Sequence, residues 1–142
     1  MGILPMQHTE DNITEYTSDF KILDNKEGKV CTTYPSTFIV PSRMPYDCLL
    51  RCAKFRSRER MPALTYAYEY SKGKYSCIFR SSQCRSGVQN NRSFDDELML
   101  RVIGNLKFDP QTNSNSELIR CKIYDARGYI AAMGNRLQGK GF

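Results

Sequence analysis

Apolar and polar positions alternate most cleanly in ALTYAYEY (63–70). Leu64, Tyr66, Tyr68 and Tyr70 share one face of an extended chain, and Ala63, Thr65, Ala67 and Glu69 share the other. SKGK follows as a turn and YSCIFR (75–80) returns, which predicts a β-hairpin. The tyrosine-rich face is expected to pack on a core. Upstream, VCTTYPSTFIVP (30–41) is rich in β-branched and aromatic residues and predicts extended chain, irregular at Pro35. YDCLLRCAKF (46–55) follows Pro45, with Asp47 as a candidate cap and Leu49 and Ala53 on one helical face; Pro62 bars continuation beyond RSRER.

After a polar loop at 80–91, Ser93 stands three residues before Asp96 and opens a helix in the manner of a capping box. Phe94, Leu98 and Val102, joined by Met99 and Ile103, form its apolar face, and Gly104 ends it. Residues 105–117 are polar and read as a surface loop. LIRCKIYDA (118–126) places Ile119, Cys121 and Ile123 on one side and predicts a strand, and YIAAMGNRLQ (129–138) predicts a short helix. Residues 1–24 are polar without a sustained period and are expected to form a flexible arm, which leaves 25–142 as the folded unit. The order β, α, β, β, α, β, α suits a domain of mixed helix and sheet, of α/β or α+β type.

Composition narrows this only a little. The chain has 142 residues, 40% hydrophobic and 25% charged, enough for one domain with a buried core. Its formal charge of +6 favours an anionic partner, such as a phosphoinositide surface or, less well, nucleic acid. Arg51, Lys54, Arg56, Arg58 and Arg60 are the densest basic cluster; each is read first as a solvated residue or one tied to Asp or Glu elsewhere, and the group as an attractor for anionic lipid. No run of 18 apolar residues is present, and MGILPMQHTEDN has neither the basic start of a secretory leader nor, with Met6 at the sixth place, the myristoylation pattern. Reduced cysteines and unused sequons at Asn12 and Asn91 are therefore expected. A zinc site from Cys48, Cys52, Cys77 and Cys84 is disfavoured by its C-x3-C and C-x6-C spacings.

Three motifs invite a catalytic reading. Cys121-Lys-Ile-Tyr-Asp-Ala-Arg127 has the C-x5-R spacing of cysteine-dependent phosphatases. That chemistry needs the five intervening backbone N–H groups to wrap one phosphate above a thiolate at a helix start. Lys, Ile, Tyr, Asp and Ala instead continue a period-2 strand, along which the two ends lie about 20 Å apart at ~3.3 Å per residue. Cys121 is therefore expected to face the core. Cys52 to Arg58 repeats the spacing, late in a helix and without glycine. Gly134-Asn-Arg-Leu-Gln-Gly139-Lys140-Gly141 follows a helix rather than a strand and lacks the final Ser or Thr of a nucleotide-binding loop.

Four segments together resemble the myotubularin family of phosphoinositide 3-phosphatases. CTTYPSTFIVP (31–41) resembles the family's C-x-T-Y-P-x-x-x-V-V-P, and AKFRSRERMPALTY (53–66) its A-x-F-R-S-R-x-R-x-P-x-L-S-W. RSSQCRSGVQNNRSFDDE (80–97) resembles S-Q-P-x-x-G…R-S-x-x-D-E, and KIYDARGYIAAMGNRLQGKGF (122–142) resembles I-x-D-A-R-P-x-x-N-A-x-A-N-x-x-x-G-G-G-Y. Cys84, Tyr66, Gly128, Ala131 and Lys140 depart from these patterns. The family's catalytic loop, H-C-S-D-G-W-D-R-T, and its PH-GRAM domain have no counterpart here.

The resemblance thus implies the N-terminal portion of a phosphatase domain over 25–142. Its fold would be α/β, a partial cysteine-phosphatase-like domain with an incomplete central sheet, a β-hairpin and flanking helices. The parent reaction would be hydrolysis of the 3-phosphate of phosphatidylinositol 3-phosphate or 3,5-bisphosphate through a phosphocysteine, without a cofactor. The chain alone would be inactive, or a non-catalytic module for an active family partner. Its implied location is cytoplasmic, peripheral on endosomal membranes. By the same resemblance Asn135 falls on the family's head-group asparagine, and its amide can donate to phosphate and accept from a hydroxyl; capping of the short helix is the alternative role. Arg127, after the expected strand end, is the second candidate.

Overall fold

A computed structural model describes residues 8–9, 13–86, 91–108, 110 and 121–137 of the chain. The described strands are β1 (His8–Thr9), β2 (Ile13–Glu15), β3 (Phe20–Asp24), β4 (Thr37–Pro41), β5 (Ala63–Ser71) and β6 (Lys74–Arg80). They form one sheet in the order β1-β2-β3-β4-β5-β6, and every pair is antiparallel. Helix α1 (Tyr46–Phe55) sits between β4 and β5, α2 (Phe94–Gly104) follows the sheet, and α3 (Tyr129–Leu137) comes last. Helices and sheet are mixed as expected, with the described strands running as an antiparallel meander.

The arm expected over residues 1–24 holds three of these strands. Phe20–Asp24 pairs along its whole length with β4, from Phe20 opposite Pro41 to Asp24 opposite Thr37. Phe20 and Leu23 are buried. This ladder gives FKILD its order, although its apolar residues are too few to form a sequence period.

Extended chain was expected from residue 30, yet the strand begins only at Thr37. Asn25 accounts for the difference. Its Oδ1 accepts from the backbone N–H groups of Val30 and Cys31, both at 3.0 Å. Its Nδ2 donates to the carbonyls of Cys31, Tyr34 and Pro35 at 2.9, 3.3 and 2.8 Å. One buried amide thus satisfies the backbone of a folded loop and denies it to a sheet ladder. Gly28, at φ +69, makes the turn that brings the loop back to Asn25.

Helix α1 starts at Tyr46 with Pro45 at its N-cap and no side-chain cap, so Asp47 lies inside the first turn and acts only through the helix dipole. Its buried residues, Leu49, Cys52 and Ala53, have the i, i+3, i+4 spacing of one face. Ser93 caps α2 as expected, accepting from the N–H of Asp96 at 3.3 Å. Leu98, Met99 and Val102 of α2 meet α1 in a core completed by Leu23, Phe38, Val40 and Met61. Phe94, expected on the same face, is 78% exposed. At that turn Asp96 points inward instead.

The reason is Arg56, the residue after α1. Its Nε donates to Asp96 Oδ1 at 2.6 Å and its Nη2 to Oδ2 at 2.7 Å, a two-pronged pair buried on both sides. Arg56 Nη1 donates to the carbonyl of Ser82 at 2.8 Å, and the Cys52 and Cys84 thiols donate to the same carboxylate at 3.2 and 3.7 Å.

Two other expectations change. Among the described residues of the strand expected over 118–126, 121–126 are not in a strand and are exposed; 118–120 lie outside the described residues. Extended backbone needs a neighbouring strand, and no described strand pairs with it. Cys121 is accordingly exposed, not core-facing. The tyrosine face of the hairpin is also open, with Tyr66, Tyr68 and Tyr70 at 55, 57 and 60% exposure.

Asp96→Asn leaves a buried guanidinium without its counter-charge, so unfolding free energy should fall by about 3–5 kcal/mol. A double variant, Arg56→Met with Asp96→Leu, should recover part of that loss, because neither charge is then buried alone. Urea denaturation midpoints of the two variants and the parent chain check both statements.

Candidate functional site

The two candidate residues are brought together by a third. After β6 the chain SSQCR (81–85) lies along the segment 55–60. The N–H of Ser57 donates to the Gln83 carbonyl at 3.0 Å, that of Ser82 to Arg60 at 2.9 Å, and that of Arg85 to Phe55 at 2.8 Å. Ser82 Oγ donates to the Ser57 carbonyl at 2.6 Å, and Arg56 bridges Cys84 as an isolated antiparallel pair. This clamp holds Arg58 and Glu59 at φ +54 and +58, left-handed backbone that costs a non-glycine residue on the order of 1 kcal/mol.

Held in this way, Gln83 presents its side chain to the last described segment. Its Oε1 accepts from Arg127 Nη1 and, at 3.2 Å, from Asn135 Nδ2 on α3. Arg127 also donates through Nε and Nη2 to both carboxylate oxygens of Asp125, at 2.9, 3.1 and 2.6 Å, and its backbone N–H donates to Oδ1 at 3.0 Å. Those bonds, with the positive charge beside it, hold the Asp125 carboxyl down at about 2. The cluster is therefore Gln83, Asp125, Arg127 and Asn135. A guanidinium and an amide converge on the Gln83 side-chain oxygen, and the Asp125 carboxylate occupies the rest of the guanidinium edge. Sequence reading placed Arg127 and Asn135 but passed over Gln83 and Asp125, although both lie in the quoted motifs. Polar loop residues carry no periodic signal.

The thiols point elsewhere. Cys52 and Cys84 face Asp96, and burial, with that carboxylate adding to it, pushes both toward the protonated form. Burial raises Cys48 and Cys77 as well. Cys31 Sγ lies 3.3 Å from the Arg58 carbonyl. Cys121 belongs to an exposed stretch outside any described helix or strand. No group of His, Cys, Asp or Glu among the described residues has the arrangement of a metal site, and the carboxylate between Cys52 and Cys84 is filled by Arg56.

Three of the five residues of the basic cluster have side-chain partners within the fold. Arg51 pairs with Asp95 at 2.8 Å, Arg56 with Asp96, and Arg60 Nε donates to Thr33 Oγ1 at 2.7 Å. Gly139 and Lys140 of the third motif lie outside the described residues. No described helix is long and apolar enough to cross a membrane.

Asp125 should titrate near pH 2 when followed by carboxyl carbon NMR, below its ordinary 3.8. Because the folded value is lowered, the pair's contribution is present above the unfolded value and lost as pH falls toward the folded one. Arg127→Leu should return the titration to the ordinary carboxylate range.

A family profile described as a myotubularin-like phosphatase domain matches residues 5–142. Phosphatidylinositol-3,5-bisphosphate 3-phosphatase MTMR8 of Homo sapiens is 37% identical over 118 residues, 83% of this chain and 15% of that relative. Myotubularin of Rattus norvegicus is 36% identical over the same length, 18% of its own chain, and the MTMR2 3-phosphatase of Bos taurus 35%, with 17% covered. The chain thus spans less than a fifth of the length of these relatives. With the profile covering nearly all of it, the chain belongs to the myotubularin-like phosphatase family.

Proposed function

We propose that this chain is the N-terminal portion of a phosphoinositide 3-phosphatase domain, with a partial cysteine-phosphatase-like fold, and that it turns over no substrate alone. The observation that carries the second statement is where the thiols lie: Cys52 and Cys84 against the Asp96 carboxylate, Cys31 against the Arg58 carbonyl, and Cys121 in an exposed stretch outside any described helix or strand. Burial holds Cys48, Cys52, Cys77 and Cys84 toward the neutral form. A phosphocysteine mechanism needs a thiolate under a ring of backbone donors. Cys121, the one with the family-like spacing to Arg127, stands in an exposed segment, and that arginine is committed to Asp125 and Gln83.

Within that reading Asn135 is the head-group contact and Arg127 its support. Gln83 Oε1 holds the Asn135 amide, and Arg127 holds Gln83, so the amide is oriented before an inositol phosphate arrives. The substrate class comes from the relatives' names, which specify phosphatidylinositol 3,5-bisphosphate and its 3-phosphate. The setting is the cytoplasmic face of a membrane, endosomal in the first instance.

A second reading rests on the segment after residue 121. Ile123, Tyr124, Tyr129 and Ile130 are 77, 83, 79 and 87% exposed, apolar surface that favours burial against another chain. The chain is then a non-catalytic module that docks on an active myotubularin-family partner.

Incubation with vesicles containing phosphatidylinositol 3-phosphate or 3,5-bisphosphate should release no phosphate above the background of a Cys121→Ser variant. Release that vanadate inhibits would refute the inactive reading. For the second reading, the chain should co-purify with an active family member, and Ile130→Asp should abolish the association; equal recovery of both forms counts against it.

A further inference from the structure

The hairpin carries an open face whose composition is unlike the rest of the surface. Register places Tyr66 opposite Ile78 and Tyr68 opposite Ser76, and alternation along β6 puts Lys74 and Arg80 on the same side; Tyr70, also exposed, lies at the register shift between Glu69 and Ser71. Ile78 is 60% exposed, like the tyrosines. Glu69 is opposite Tyr75 on the other side, where Tyr75 meets Phe20 edge to face at 5.4 Å. The open side carries no acidic residue of its own; the one carboxylate near it is Glu69, whose Oε1 accepts from the Gly73 N–H at 2.7 Å at the tip. At its tip Lys72 and Lys74 flank Gly73, and Lys107 Nζ lies 3.7 Å from where a Cβ on Gly73 would stand. Among the described residues none of these lysines is in an ion pair.

We propose that this face docks on the surface of an anionic lipid bilayer, with the tyrosines at headgroup depth and the lysines on acidic headgroups. A tyrosine has an apolar ring and a wet hydroxyl, which suits the boundary between hydrocarbon and water. Lysine lays its stem on that boundary and keeps its ammonium in the headgroups. Tyr66, Tyr68 and Ile78 are exposed together on one side of the hairpin and can meet a surface at once. A second copy laid face to face would set Lys72, Lys74 and Arg80 against the same cations, which outnumber the single Glu69 carboxylate at the tip. The docking requires neither turnover nor a 3-phosphate, so it stands apart from the catalytic reading.

The chain contains no tryptophan, so Tyr68→Trp places a single indole reporter on this face. Vesicles of phosphatidylcholine mixed with phosphatidylserine should shift its emission to the blue, and brominated acyl chains should quench it. Phosphatidylcholine alone should do neither, and added salt should weaken the response. Adding Lys72→Glu and Lys74→Glu should weaken vesicle binding at least about twentyfold, since each lysine near an anionic surface contributes about fivefold. Both positions are exposed, and an unchanged far-ultraviolet circular dichroism spectrum checks that the hairpin persists. In the wild-type chain, Tyr70→Ser should reduce sedimentation with the same vesicles. The proposal is overturned by an unshifted emission, by equal response to neutral vesicles, or by indifference to the charge reversals. A shift produced by a single-stranded oligonucleotide but not by lipid, or by raising the protein concentration alone, also overturns it.

Discussion

The pair formed by Arg56 and Asp96 ties together elements that are far apart in the chain. It joins the end of α1 to the first turn of α2, and through the Ser82 carbonyl it fixes the segment that leaves β6. Removed from water, each charge is tolerable only with the other in place. The apolar contacts among Leu49, Cys52, Leu98, Met99 and Val102 allow the helices to slide; a two-pronged bond between a guanidinium and a carboxylate does not. Its specificity propagates outward. Because segment 81–85 is pinned to 55–60, the Gln83 amide has one position, and Arg127 and Asn135 are organised around it.

This dependence explains what was legible in the residues. The hairpin, α1, α2 with its Ser93 cap, and α3 are local, and their periodicity and stop signals lie within a dozen residues. β3 was hidden because FKILD offers no alternation of its own and acquires order only from β4, across a loop that Asn25 folds. The expected strand around Cys121 has the right alternation, but strand character also demands a neighbour. At the candidate site, the resemblance placed Arg127 and Asn135, yet their shared partner is 44 and 52 residues away, and no window of sequence holds that relation. Asp96 was read as part of a cap. Its larger role, as counter-charge to Arg56, depends on a crossing of two helices.

Cysteine content proved a poor guide to chemistry for a related reason. Six thiols and two C-x5-R spacings suggest nucleophiles, but reactivity is set by surroundings. Cys52 shares a carboxylate with an arginine inside the core, and there a thiol serves as a small apolar residue with one weak donor.

The sheet is continuous in strand order but not in strength. β3 and β4 share five register pairs and β5 and β6 seven, whereas β4 and β5 share one, Ile39 with Leu64. Mechanically the structure is two leaves on a narrow seam. The second leaf is steadied at its base by the Tyr34 hydroxyl, bonded to the Met61 and Arg80 carbonyls, and farther out by the ring of Tyr75 against Phe20. A load on the hairpin tip is therefore carried as torque about that seam.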